Sequence, residues 1–462
     1  MRLISSRFLV AASFGTMAAG LGAPSLSAQT IDPNAVLDER TASLTWMEGE
    51  AAQDDGQPEA DVKPTPRVPL SAQAGTQAAQ TSPVQVEIPA SSASVPVVQD
   101  LPRFTPATSR ALLDALPMLT AEGLDPADYP AAPLRTALAS GDSAAIDRAA
   151  RDLFRKVAED LRSGHTPESA RVEWLATDPD IQRFPTELVM REAMDGRPVA
   201  EIFASLLPTH ADYAALRAAL AQETDPSRRA KIRANMDRWR WLPRDLGEQY
   251  LMVNVPEYQV RLMMNGNVAR SYRAIVGKPG RTATPQLIES VEGVVFNPTW
   301  TVPQSIVVGE GLGQRVLNNP AWAKARGYTA TRGENGYISV VQQPGPNNSL
   351  GRMKLDMPNA HAIFLHDTPA RNLFGQRDQA LSHGCVRTEN ALELAYTMMI
   401  LGEGGNVEEA AAIAASGEYT RVGFQKEIPI YISYFTLAPG ADGSLTSFND
   451  IYDRDGPVLA SL

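Results

Sequence analysis

The sequence predicts an α+β protein in which an all-helical region precedes a β-rich one, and three observations predict it. From Thr105 to about Arg240, apolar residues recur at three- and four-residue spacing, the period of amphipathic helices. Beyond Tyr250 the period drops to two, and Asn265-Gly266 between two alternating runs is a strong hairpin signal. The third is the stretch from Phe364 to Glu389, which holds the only cysteine, Cys385, and two of the five histidines, His366 and His383. Its polar composition around the cysteine is not that of a core.

At the N-terminus, Arg2 and Arg7 precede an apolar run from Phe8 to Ala23, followed by Pro24 and small residues to Ala28. Residues 1–28 are therefore expected to be a secretory signal peptide cleaved near Ala28. Gly15, Thr16, Gly20 and Gly22 interrupt the run, which falls short of the roughly 20 apolar residues of a spanning helix. Cleavage is favoured over an uncleaved anchor, and no integral membrane span is expected after it. Residues 29–100 are rich in Ala, Gln, Ser and Pro and have few large apolar groups to offset chain entropy. They read as a disordered tether, with a short helix around Glu39 to Glu50 on the strength of Leu44 and Trp46.

Residues 101–240 form the helical region, with helices expected over Ser109–Leu116, Ala144–Arg162, Phe184–Asp195 and Tyr213–Ala221. Asp142 or Ser143 is placed to cap the second and Gly164 to end it. His165 and His210 have loop-like neighbours and read as structural or surface histidines. Residues 246–455 form the β-rich region. Strands are expected at Tyr250–Val255, Tyr258–Met264, Asn267–Val276, Gly293–Phe296 with Thr301-Val302, Ile338–Gln342, Met353–Met357 and Ala362–Leu365. Residues 304–345 read as an insertion with a helix near Glu310–Leu317 and an apolar cluster around Trp322. A helix is expected over Glu389–Leu401 with Leu392, Ala395, Tyr396 and Met399 on one face. A closing hairpin joins Ile428–Thr436 to Leu445–Phe448 across Gly440–Gly443.

The chemistry lies around Cys385. A lone cysteine has no disulfide partner within the chain, and a free thiol in an oxidising compartment calls for a reason. A buried structural cysteine is the bland alternative, but Ser382, His383, Gly384 and Arg387 are not core company. A free thiol near pKa 8.5 is only a few per cent thiolate at neutral pH and needs a base or a positive field. His366, nineteen positions earlier and at a strand end, is the candidate base. Asp367 follows it, and either its side chain or its carbonyl can hold the imidazole tautomer. Gly384 permits close backbone approach, and the amides of His383, Gly384 and Cys385 can face an oxyanion. Thr388 is placed to cap the next helix, which sets Cys385 just ahead of a helix N-terminus that lowers its pKa.

His366, fifteen residues, then Ser382-His383-Gly384-Cys385-Val386-Arg387 resembles the signature of the L,D-transpeptidase (YkuD-type) catalytic domain. Leu365 to Pro369, Gln343 to Pro346, Asn348 to Gly351, Trp239-Arg240-Trp241 and Ile451 to Asp455 resemble its large periplasmic, YcbB-like branch. Leu207 to His210 and Tyr213 to Leu216 resemble that branch's helical scaffold. The large members often carry a peptidoglycan-binding module between scaffold and catalytic domain. Here Leu220 runs almost directly into Lys231, so wall binding is left to the catalytic domain or the tether.

The resemblance implies a periplasmic enzyme that forms 3-3 cross-links between peptidoglycan stem peptides through a Cys385 thioester, with D-Ala as leaving group. It implies His366 as base, oriented by Asp367, an oxyanion site around His383 and Gly384, and Arg387 on a stem carboxylate. Ser382 is assigned to the substrate groove and residues 304–345 to a cap over it; Trp300, with no basic stripe beside it, reads as a groove or core aromatic and is set with the substrate-binding residues. It also implies acylation by carbapenem-type inhibitors and no cofactor. The same acyl-enzyme serves L,D-carboxypeptidation, D-amino-acid exchange or lipoprotein attachment, and a non-catalytic wall-binding scaffold is the rival outside catalysis. Wall-cleaving cysteine peptidases place cysteine before histidine, and sortases lack the glycine before the nucleophile and space the pair more widely.

Charge narrows the partners. The net charge of −11 and pI near 5.1 come without a lysine or arginine block, which disfavours nucleic acid and anionic membranes. A zinc site at His361, His366 and His383 fits three-imidazole chemistry but leaves the Gly-Cys arrangement without a use.

Overall fold

The computed structural model describes residues 101–176, 178–440 and 444–462. The signal peptide, the tether and the Glu39–Glu50 helix lie outside these residues.

Seven helices open the described chain: α1 (Pro106–Ala115), α2 (Ala131–Ser140), α3 (Ser143–Ser163), α4 (Thr186–Met194), α5 (Val199–Ser205), α6 (Ala211–Gln222) and α7 (Pro226–Arg240). The α3 helix starts because the Asp142 carboxylate accepts the amides of Ala144 and Ala145 at 2.9 and 3.2 Å, a cap worth about 1 kcal/mol. It ends at Gly164, whose φ of 96° disfavours a side chain. Leu153, Phe154, Val157 and Leu161 of α3 pack against α1, α4 and α5 in one apolar core. His165 is structural: its Nδ1 meets the Asp160 carboxylate at 2.6 Å. His210 caps α6 and reaches the Tyr250 hydroxyl at 3.0 Å.

The β-rich region follows as β1 (Gln249–Asn254), β2 (Gln259–Met264), β3 (Asn267–Gly277), β4 (Leu287–Phe296), β5 (Trp300–Thr301), α8 (Gln304–Gly309), α9 (Leu312–Asn318), α10 (Pro320–Ala325), β6 (Tyr328–Arg332), β7 (Ile338–Gln342), β8 (Met353–Asp356), β9 (Leu365–His366), β10 (Ala380–Ser382), β11 (Val386–Thr388), α11 (Ala391–Leu401), α12 (Val407–Ser416), β12 (Thr420–Ser433), β13 (Leu437–Pro439), β14 (Leu445–Ser447) and α13 (Asp455–Ser461). Nine strands form one mixed sheet in the order β10-β3-β11-β9-β8-β4-β12-β1-β2, and β2 pairs back to β3. Strand pairs β1–β12, β3–β10 and β9–β11 are parallel. One face is apolar and packs on α11 and α12 through Leu355, Leu365, Val386, Leu394 and Met398. Removing one such side chain, as in Leu365→Ala, costs about 2–5 kcal/mol.

Several expectations need correction. The Ile338–Gln342 strand does not continue the main sheet; β7 pairs with β6 and with β5, which lies just before the insertion, in a separate three-stranded sheet. The buried face of α11 is Ala391, Leu394, Ala395, Met398 and Met399, with Leu392 and Tyr396 only half-buried. The closing hairpin is β13–β14, because the long β12 is held between β1 and β4.

Helical and β-rich regions share a core. Tyr213, Leu216, Ile232, Met236 and Trp239 of α6 and α7 pack on Tyr250, Met252, Met263, Tyr431 and Phe435. The chain end returns to the helices, where Arg233 donates to the Leu462 carbonyl at 2.6 Å and Val458 packs against Trp241.

Candidate active site

Parallel pairing sets Val386 opposite Leu365 and Arg387 opposite His366. Residues alternate sides along a strand, so buried Val386 and Leu365 face the core, while His366 and Arg387 share the other face. Cys385 leads into β11 and is half-buried. On the far side of β9, Lys354 of β8 pairs with His366. One row across three strands therefore reads Lys354, His366, Arg387.

The His366 ring is buried and its Nδ1 lies 2.5 Å from the Asp367 carbonyl. A carbonyl only accepts, so Nδ1 carries the proton and Nε2 keeps its lone pair, the tautomer a general base requires. Burial, with the charges of Arg387 and Lys354 in support, pushes the His366 pKa down to about 3. The imidazole is therefore neutral across the working range.

Of the two ways for Asp367 to orient His366, the structure has the carbonyl. The Asp367 carboxylate turns away to accept the Arg352 amide at 2.9 Å, and burial raises its pKa. It fills the space beside Gly351, where a Cβ would come within 2.4 Å of it.

The Cys385 thiol is parked. Its Sγ lies 3.6 Å from the Ala362 carbonyl. Ala362 adopts a φ of 54°, uncommon for a residue with a Cβ. The loop is braced by Asn359, which accepts the Ile363 amide and donates to the Ile363 carbonyl. Burial raises the Cys385 pKa, against opposing contributions from the Phe364 amide, Lys354 and Arg387. The expected helix N-terminus is absent: Thr388 lies in β11 with a buried hydroxyl that has no hydrogen-bond partner, and α11 starts after Asn390. Cys385 thus precedes a strand, and no helix dipole lowers its pKa.

Ser382 is no groove residue. It is buried, and its hydroxyl donates to the Cys385 carbonyl at 2.5 Å while accepting the Gly384 amide at 3.1 Å. The Gly384 amide is accordingly engaged within the turn, whereas those of His383 and Cys385 are not hydrogen-bonded to any described backbone or side-chain group. Gly384 has a φ of 116°, with Ile363 3.2 Å from where a Cβ would sit. A brace that sequence reading missed is Thr284, whose hydroxyl donates to the Gly384 carbonyl at 2.7 Å and accepts the Gly277 amide at 2.8 Å. Arg454 donates to the Thr284 carbonyl at 3.1 Å, and the Tyr452 hydroxyl donates to the Gly277 carbonyl at 2.5 Å. These two belong to the Ile451–Asp455 stretch.

His383 is exposed, and its Nε2 donates to the Glu310 carboxylate of the insertion at 2.6 Å. Trp300 does not join the site contacts; its ring packs into the insertion's cluster with Val302, Ile306, Val307 and Val340. The Arg387 guanidinium makes no hydrogen bond or ion pair among the described residues. No group of three or more His, Cys, Asp or Glu among those residues is arranged to hold a metal.

Residues 248–409 match the family described as the L,D-transpeptidase catalytic domain (YkuD), and residues 102–220 match the family described as the scaffold domain. The chain carries a YkuD-type L,D-transpeptidase catalytic domain behind a scaffold domain. A Haemophilus influenzae protein named "Putative L,D-transpeptidase" is 29% identical over 244 residues, covering 49% of this chain and 48% of that protein. The chain thus spans about half the length of the curated relative it matches. Similar solved structures include an L,D-transpeptidase from Mycobacterium smegmatis, 14% identical, covering 40% of this chain and 58% of that one, with a TM-score of 0.20. The catalytic domain of the E. faecium L,D-transpeptidase acylated by ertapenem is 15% identical, covering 33% and 90%, with a TM-score of 0.19.

Proposed function

We propose that the protein is a periplasmic peptidoglycan L,D-transpeptidase that makes 3-3 cross-links through a Cys385 thioester. The observation that carries this reading is the His366 tautomer: a neutral imidazole with Nε2 unprotonated, on the strand beside the one that Cys385 enters. In the reaction, His366 Nε2 takes the Cys385 proton as the sulfur attacks the carbonyl of the third residue of a donor tetrapeptide stem. The oxyanion is received by the amides of His383 and Cys385, and Gly384 contributes the turn and not a donor. His366 returns the proton to the leaving D-Ala amine, and the thioester remains. A side-chain amine of a second stem attacks it and restores the thiol. Arg387, unpaired in the resting site, binds a stem carboxylate with its planar fork.

Residues 304–345 act as the cap, tied to the catalytic turn by Glu310. Carbapenems acylate the same sulfur. Export relies on the N-terminal signal segment, and no helix among the described residues is long and apolar enough to cross a membrane. The test is mass spectrometry of products from purified disaccharide-tetrapeptide. A dimer lighter by one D-Ala supports the reading; tripeptide alone makes the protein a carboxypeptidase, and unchanged substrate makes it a scaffold.

A further inference from the structure

Lys354 has no role in the chemistry above, yet it stands in the same row as the base. It pairs with His366 across β8–β9, as Arg387 does across β9–β11. With strands about 4.8 Å apart, the two cations sit roughly 10 Å from each other at the backbone, one on either side of His366. The acids nearest to them along these strands are engaged elsewhere. Asp356, two residues along β8 on the same face, is held by Arg421 at 2.5 Å. Glu389, two residues beyond Arg387, receives Arg273 through two hydrogen bonds, at 2.8 and 2.5 Å. The Lys354 side chain makes no hydrogen bond or ion pair among the described residues; its ammonium lies 4.6 Å from the centroid of the Phe364 ring. Phe364 sits just before β9, its carbonyl accepting the Val386 amide at 3.1 Å and its ring centroid 5.8 Å from that of His366, so the ammonium of the half-buried lysine lies over a ring that adjoins the imidazole.

We propose that Lys354 is a specificity residue that binds a second carboxylate of the donor stem, opposite the one taken by Arg387. Two unneutralised cations flanking the reacting groups fit a substrate with two anionic groups close to the scissile carbonyl. This inference rests on the proposed function for the identity of the donor. In that donor, the carboxylate can come from the side chain of the third residue or from the leaving D-Ala. An ammonium suits either, since it binds as a point charge without demanding a planar partner.

The test reads binding, so it does not depend on turnover. In a Cys385→Ala background, isothermal titration compares three stem tetrapeptides: the full carboxylate form, one amidated on the third residue's side chain, and one ending in D-alaninamide. Lys354→Met should weaken binding of the full form at least about tenfold, in line with loss of a charged hydrogen bond. It should change binding of one amidated peptide less than twofold, and that peptide identifies the carboxylate. Lys354→Arg should restore most of the affinity. Equal weakening for all three peptides, no weakening for any, or no binding of any peptide to the parent protein overturns the proposal. Failure of cross-linking in the product assay, with this binding pattern intact, would instead remove the transpeptidase reading alone.

Discussion

The imidazole of His383 and the carboxylate of Glu310 meet at 2.6 Å, joining the catalytic turn to the small sheet and helices of the insertion. Both side chains are about half exposed, at 44% and 54%, and exposed ion pairs typically contribute less than about 1 kcal/mol. A tie of that strength would hold the proposed cap in place and still let it open. Glu310→Ala should therefore leave the melting temperature within about 1 °C and change kcat/KM by roughly two- to tenfold. Deletion of 304–345 should abolish most substrate use at a smaller cost to folding. Unchanged kinetics in both variants would remove the cap role.

The thiol and the imidazole are both neutral at rest. Burial raises Cys385 above the ordinary thiol range and lowers His366 to about 3. Alkylation of Cys385 by a small neutral reagent should rise only at pH values above about 8.5, the ordinary thiol value. A reactivity plateau reaching down to pH 6 would mean a standing thiolate-imidazolium pair, and His366→Ala would then abolish that plateau.

Stability carries the same signature. Between about pH 3 and 6.5 the unfolded chain protonates this histidine and the folded protein does not, so the unfolded state binds more protons. Stability is thus lost as pH falls below 6.5. His366→Gln should lose less stability than wild type between pH 7 and 4.5, by on the order of 2 kcal/mol. Urea midpoints at the two pH values check it, and parallel losses in the two proteins would contradict a buried neutral His366.

Asp367 holds His366 through its carbonyl, which a side-chain change leaves in place. Asp367→Asn can still accept the Arg352 amide and should keep kcat within about tenfold of wild type with an unshifted acidic limb, whereas His366→Ala should lose most acylation. A hundredfold loss in Asp367→Asn would assign the carboxylate a direct part.

The proposed catalytic motif is legible because its residues are local: a histidine at a strand end, glycine and cysteine adjacent, a strand-period change upstream. Its supports are not. Thr284 lies one hundred residues before Gly384 and Glu310 seventy-three before His383, and only strand order brings them together. Nothing in the sequence sets Lys354 apart within the Met353–Met357 strand; the β8–β9 register alone puts it beside His366. Thr388 misled for a local reason: a Ser/Thr before an apolar run is a cap signal, but the pairing of β11 with β3 carries the extended backbone through Thr388, and Asn390 makes the turn at a φ of 51°. Ser382 looked like a groove residue because a hydroxyl's partners cannot be read from sequence.

Thr284 should act by position alone. Thr284→Val removes the hydroxyl that joins Gly384 to Gly277 and should lower kcat more than it raises KM, by about tenfold for one lost buried hydrogen bond. Thr284→Ser should restore it. If Ser and Val behave alike, the brace is packing and not a hydrogen bond.

The central claim is that Cys385 carries the acyl group, and the intact-mass spectrum of the protein mixed with a donor tetrapeptide tests it most directly. Wild type should gain the mass of the stem without its terminal D-Ala, on a peptide containing Cys385. Cys385→Ala should gain nothing and stay folded. No gain in wild type, or an adduct that persists in Cys385→Ala, would contradict the account.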